Sequence, residues 1–232
     1  MKRALLINFG RMGDLLQTSP MIKLLKEQHP GLVIGMLAAS NFREVMTGIP
    51  GIDYHHLLEL LPLMKPLQGG RLDENYRRFR KLLQELRSYG YDTIFNLTHN
   101  RLGAVLSSML GAEDIRGLSL NPEGYAVVED FWLRQFYNTN INRGLNQFNL
   151  VDLYRLAGSF KSGMSTAENS RLRYDVPERA EKWAEAEIGG ADNIIGIQVG
   201  ASTDSKRWGE VNFRSLAEML ADDYTLLFFG TE

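Results

Sequence analysis

The chain of 232 residues contains no cysteine. That absence excludes disulfide frameworks, thiol nucleophiles and cysteine-ligated metal sites, and it fits a reducing compartment. No sign of charge dominates: 26 basic and 28 acidic residues leave a formal net charge of −2. A nucleic-acid partner usually calls for a strongly basic domain, so none is expected. No apolar run approaches the ~20 residues needed to span a bilayer. The N-terminus "MKRALLINFGRMGD" meets Arg11 and Asp14 after only a few apolar residues. A secretory signal needs an apolar stretch of about 7–15 residues and a small-residue cleavage site. The chain is therefore expected to be cytoplasmic.

Several catalytic signatures are missing as well. The sequence has no G-x-G-x-x-G, no Walker loop, no G-x-S-x-G elbow and no D-x-D metal motif. His29, His55, His56 and His99 do not stand at the spacings of a zinc-binding helix. On a strand, His55 and His56 would point to opposite faces, which argues against a joint ligand role. No metal site and no cofactor are expected.

What is present is an α/β pattern. Hydrophobic residues make up 44% of the chain, enough for a core in one large or two smaller domains. The runs "ALLINF" (4–9), "LVIGMLAA" (32–39), "YDTIFNLTHN" (91–100), "NIIGIQVG" (193–200) and "YTLLFFG" (224–230) read as buried strands, and 53–59 as a further one. Between them, helices are expected over 19–31, 71–90, 101–111, near 128–138 and 147–158, over 177–188 and over 210–221. In the 71–90 helix, Leu72, Tyr76, Phe79, Leu83 and Leu86 form the apolar stripe. Arg77, Arg78, Arg80 and Lys81 form a basic face, either solvated or facing phosphates of an anionic surface. Phe131, Trp132 and Phe136 pack in a core or meet lipid. Strands alternating with helices predict parallel α/β layers. A small polar stretch at 161–170 marks a boundary, giving an N-terminal Rossmann-like domain over 1–170 and the start of a second over 171–232.

Two loops stand out. In "NFGRMGD", Gly10, Arg11 and Gly13 lead to Asp14 just beyond the first strand. A carboxylate would repel a phosphate there. It either caps a helix or abstracts a proton, since open α/β sheets bind ligands at the C-terminal ends of their strands. In "IQVGASTDSKRW", Ser202 and Thr203 offer hydroxyls and Lys206 and Arg207 charge, just before a helix. This is either a diphosphate clamp or a solvated loop. Asn96, Thr98, His99 and Asn100 end a buried strand, and either contact an acceptor or cap the loop.

The segments "INFGRMGDLLQTSPMIKLLKEQHPG", "YDTIFNLTHNRLGAVLSSMLGAEDIRGLS" and "IGIQVGASTDSKRWGEVNFRSLAEML" together resemble glycosyltransferase family 9, the ADP-heptose:lipopolysaccharide heptosyltransferases. The resemblance implies a GT-B architecture of two Rossmann-like domains, the first taking a lipid-linked oligosaccharide acceptor and the second a nucleotide sugar. It implies inverting, metal-independent transfer of heptose from ADP-heptose, at the inner face of the bacterial inner membrane. By position, Asp14 matches the catalytic acid, Lys206 the lysine on the donor diphosphate and Ser202 a hydroxyl on phosphate. Two features depart from the pattern. Gln198-Val199-Gly200-Ala201 stands where the family often has His-Pro-Gly-Ala, and the family's D-T/S-G-x-x-H segment is absent from these residues. The second domain is therefore expected to be truncated. The competing expectations are a non-catalytic acceptor-binding fragment and a nucleotide-binding oxidoreductase, the latter without its dinucleotide fingerprint.

Overall fold

The computed structural model describes residues 1–60, 72–139, 142, 144, 146–159, 171–201 and 203–230. It divides into two units, Met1–Asp175 and Val176–Glu232. The passage falls five residues beyond the composition shift. Residues 173–175 are tied to the first unit: Arg173 N–H donates to Ser19 Oγ at 2.9 Å and Asp175 N–H to the Gly48 carbonyl at 2.7 Å.

The first unit is built on β1 (Arg3–Asn8), β2 (Val33–Ala39), β3 (Tyr54–Leu58), β4 (Thr93–Asn96), β5 (Asp114–Leu120) and β6 (Ala126–Val128), in the spatial order β3-β2-β1-β4-β5-β6. The first five strands are parallel and β6 runs antiparallel to β5. β1 is central. Its alternate residues serve two cores, as the period of two demands. Ala4 and Leu6 face α2 (Ser19–Gln28), α6 (Phe131–Thr139) and α7 (Leu150–Gly158); Leu5 and Ile7 face α4 (Leu72–Ser88) and α5 (Arg101–Leu110). Covering both faces explains why β1 and β2 read as unbroken apolar runs. Two short helices complete the unit: α1 (Met12–Leu16) and α3 (Arg43–Thr47).

Several expectations need correction. The first strand ends at Asn8, and the fourth spans only Thr93–Asn96. On α4 the buried stripe is Asn75, Leu82, Leu83 and Leu86, while Tyr76 is 63% exposed. The buried face is rotated about the helix axis toward Asn75 and Leu82, which leaves Tyr76 on the exposed flank. Within its basic face, Arg78 pairs with Glu59 at 2.8 Å and Glu74 at 2.6 Å. β5 has no counterpart in the sequence reading because "DIRGLSL" lacks a continuous apolar run. Arg116 sits in this strand because its guanidinium has tertiary partners: Asp114 at 3.0 Å, the Ala157 carbonyl at 3.2 Å and the Phe95 ring at 5.6 Å. Phe136 and Trp132 pack with the core, whereas Phe131 is exposed.

The second unit consists of α8 (Glu178–Ile188), β7 (Ile194–Gln198), α9 (Glu210–Leu220) and β8 (Thr225–Phe229). β7 and β8 pair in parallel, with Ile194 opposite Thr225. No described helix is long and apolar enough to cross a membrane.

Candidate active site

The chain moves outward from β1 through β2 to β3, then returns through α4 to β4 on the other edge of β1. The C-terminal ends of β1 and β4 therefore flank the point where strand order reverses. Open α/β sheets bind ligands at that point, because the loops leaving the two strands diverge and leave a crevice. A cavity of about 540 Å³ lies there.

One wall is the loop after β1. Asn8, the last residue of the strand, is buried, and its side chain braces the turn. Its Oδ1 accepts the Gly10 N–H at 2.8 Å and its Nδ2 donates to the Asp14 carbonyl at 3.3 Å. Asp14 is the third residue of α1, and its Oδ2 accepts the Arg11 N–H at 2.8 Å. Asp14 thus caps the helix start from inside the first turn, as the acid of a capping box does, and it also lines the cavity. Gly10 is sterically required, since a Cβ there would fall 2.6 Å from Asp14 Oδ2 and 2.9 Å from Asn8 Oδ1. Gly13 faces open space, and Arg11 is exposed.

The opposite wall follows β4. Asn96 is buried away from the cavity. Its Nδ2 donates to the Leu118 carbonyl at 2.6 Å, and its Oδ1 accepts from the Thr98 N–H and hydroxyl at 3.1 and 2.7 Å. Its role is to hold Thr98, which lines the cavity. Asn100 caps α5, accepting the Gly103 N–H at 2.8 Å, and reaches the cavity as well. The His99 ring lies edge-on to Phe136 at 3.9 Å and stacks on Tyr137 at 5.6 Å. Burial pushes its pKa down to about 4, outweighing the attraction of the Asp14 carboxylate, so the imidazole is neutral at neutral pH.

The sequence reading brought Asp14, Gly10, Thr98, His99 and Asn100 into view but missed Asn8, Thr139, Asn146 and Tyr154. Tyr154 comes from α7 and is 1% exposed. Its hydroxyl bonds the Asn8 side chain, while burial and the nearby Asp14 charge raise its pKa and keep it protonated. Asn8 carried one visible signal, a polar residue closing an apolar strand. Tyr154, an apolar-stripe residue of α7, carried none.

In the second unit, Thr203 and Lys206 bracket a turn: the Lys206 N–H donates to the Thr203 carbonyl at 3.0 Å, and the Thr203 and Ser205 hydroxyls lie 3.2 Å apart. Lys206 and Arg207 are exposed, and Trp208 packs edge-on against Phe213 of α9 at 5.1 Å. Ser202 lies outside the described residues. Among the described residues, no group of three His, Asp or Glu is placed to hold a metal ion.

The sequence model of glycosyltransferase family 9 (heptosyltransferase) matches residues 79–232. The chain belongs to this family. In structure, this family 9 chain is similar to Escherichia coli ADP-heptose LPS heptosyltransferase II, at 20% identity and a TM-score of 0.65 over 100% of this chain and 65% of that one. It is similar to a family 9 glycosyl transferase from Veillonella parvula, at 21% identity and 0.72, over 99% and 62%. It also resembles E. coli heptosyltransferase WaaC with ADP, at 17% identity and 0.66, over 97% and 67%. The chain thus spans roughly two thirds of the length of these relatives, and at such identities the likeness shows a common GT-B fold. No curated protein matches it in sequence.

Proposed function

We propose that the protein is an inverting, metal-independent glycosyltransferase, without a cofactor, that moves a heptose from ADP-heptose to a lipopolysaccharide-core acceptor, with Asp14 as general base. The observation that carries this reading is the position of Asp14 on the cavity at the β1/β4 switch point. Family membership and the names of the similar structures support the choice of reaction.

The acceptor binds in the first unit, with Thr98, His99 and Asn100 beside it. Its hydroxyl gives a proton to the Asp14 carboxylate as its oxygen attacks the anomeric carbon from the face opposite the diphosphate. The bond to the diphosphate breaks and ADP leaves with the electron pair. A carboxylate is a weak base toward an alcohol, and it becomes effective as the sugar carbon gains oxocarbenium character and the hydroxyl proton grows acidic. Because Oδ2 is held by the Arg11 N–H, the carboxylate is pre-aimed and its other oxygen takes the proton. In the second unit Ser202, Thr203, Lys206 and Arg207 receive the donor diphosphate and stabilise the departing charge. A lipid-linked acceptor brings the chain to the cytoplasmic face of the inner membrane, where exposed Arg77, Arg80 and Lys81 supply cations for its phosphates.

The test is ADP release from ADP-heptose with a core acceptor, beside calorimetric titration of ADP. Asp14→Asn is expected to slow transfer about 10³-fold, within the range of general-base effects, and to leave ADP affinity unchanged. Full transfer by Asp14→Asn would remove Asp14 from the chemistry.

A further inference from the structure

The aim of the Asp14 carboxylate depends on a turn that cannot hold itself. α1 has five residues, too few for a helix stable by its own hydrogen bonds. Leu15 buries one side of it in the core, but the turn before it, from Gly10 to Asp14, is fixed by polar groups. Asn8 closes that turn at both ends: Oδ1 accepts the Gly10 N–H and Nδ2 donates to the Asp14 carbonyl. The amide serves in one orientation only. Rotated by half a turn, it would set Nδ2 against the Gly10 N–H and Oδ1 against the Asp14 carbonyl, and both bonds would be lost. Asn8 is buried, so each lost bond leaves a polar group without water to replace its partner.

The same side chain is bonded by the Tyr154 hydroxyl. Tyr154 stands on α7, which Asn149 caps by accepting the Asp152 N–H at 2.9 Å. Its ring is buried and braced edge-on by Phe136 at 5.2 Å. The phenol stays protonated, because burial and the Asp14 charge oppose its ionisation. A packed helix thus holds a hydroxyl on the amide that closes the Asp14 turn. We propose that Asn8 and Tyr154 are positioning residues: the Tyr154 hydroxyl fixes the Asn8 amide, and the amide aims the Asp14 carboxylate into the cavity. The inference rests on the reading of Asp14 as general base.

Tyr154→Phe removes the hydroxyl and keeps the ring. In the ¹⁵N-labelled protein the backbone order parameters of Gly10 and Arg11 are expected to fall from about 0.85 toward 0.6, while those of Leu5 and Leu6 in β1 stay near 0.85. With ADP-heptose and a core acceptor, kcat is expected to fall about tenfold or more, with KM for ADP-heptose unchanged. A merely structural tyrosine would lower the melting temperature and move neither readout. Asn8→Ala should act in the same direction, and adding Tyr154→Phe to it should slow transfer no further, because the two residues act through one bond. Where Asn8→Ala does not fold, Tyr154→Phe decides alone. Wild-type order parameters in Tyr154→Phe would overturn the inference, as would losses in kcat that multiply in the double variant. Asp14→Asn in the same assay separates the two readings. Full transfer by Asp14→Asn removes the base and its positioning together; slow transfer by it, beside a wild-type kcat in Tyr154→Phe, removes the positioning alone.

Discussion

Replacing Gly10 by alanine disturbs the Asp14 loop without touching a reactive group. Gly10 is not among the residues with positive φ, so alanine accepts its backbone conformation. At an unconstrained site of this kind the substitution stabilises by about 0.4–1 kcal/mol, through reduced freedom of the unfolded chain. Here the added methyl would lie 2.6 Å from Asp14 Oδ2, 2.7 Å from Asp14 Cβ and 2.9 Å from Asn8 Oδ1. Relieving that overlap costs about 1–3 kcal/mol. Moving the turn also weakens the bond between Gly10 N–H and Asn8 Oδ1, worth about 1 kcal/mol. The net loss is about 1–3 kcal/mol, or a melting temperature lower by roughly 5 °C for a protein of this size. Transfer should suffer more than stability. A displacement of the carboxylate on the order of 1 Å costs about 10²-fold in rate even when the fold survives. Scanning calorimetry and ADP release from ADP-heptose measure the two effects on the same sample. A variant that melts within about 1 °C of the wild type and transfers at the same rate would show that Gly10 is not packed against Asp14.

Three other perturbations probe separate links. Gly117 holds φ +100°, and a Cβ there would overlap the Asn96 carbonyl oxygen. Gly117→Ala should therefore cost about 2–4 kcal/mol, from the backbone conformation and overpacking together, read from the denaturant midpoint. His99 has a folded pKa of about 4 against 6.5 unfolded, so below pH 6.5 the unfolded chain binds the extra proton. Stability should fall as pH drops from 6.5 toward 4, by about 1–2 kcal/mol after allowing for partial exposure. In His99→Gln the denaturant midpoint should depend less on pH over that window; an unchanged dependence would remove His99 as the cause. Lys206→Ala should weaken ADP binding about tenfold or more by calorimetry, through loss of a charge-assisted contact, while the Asp14 loop stays intact; unchanged affinity would place the diphosphate elsewhere.

The sequence by itself carried the alternation of strands and helices, because a strand covered on both faces must be apolar throughout and a helix on its flank must be apolar on one stripe. "ALLINF" and "LVIGMLAA" were legible for that reason, and so was Asp14, an acid placed directly after a buried strand. β5 was not legible. Arg116 becomes tolerable in a strand only when Asp114, Ala157 and Phe95 surround it, and two of those three come from distant positions. The orientation of α4 was set in the same way: packing against β1 and β2 selected Leu82 over Tyr76, which the spacing alone could not rank. The candidate site shows the division most clearly. Local sequence placed an acid at the end of β1 and a polar cluster after β4. Only the return of the chain through α4 made those strands neighbours, and only α7, more than 130 residues beyond Asp14, brought the Tyr154 hydroxyl to Asn8. Contacts of that kind depend on which surfaces meet after folding, and no periodicity along the chain encodes them.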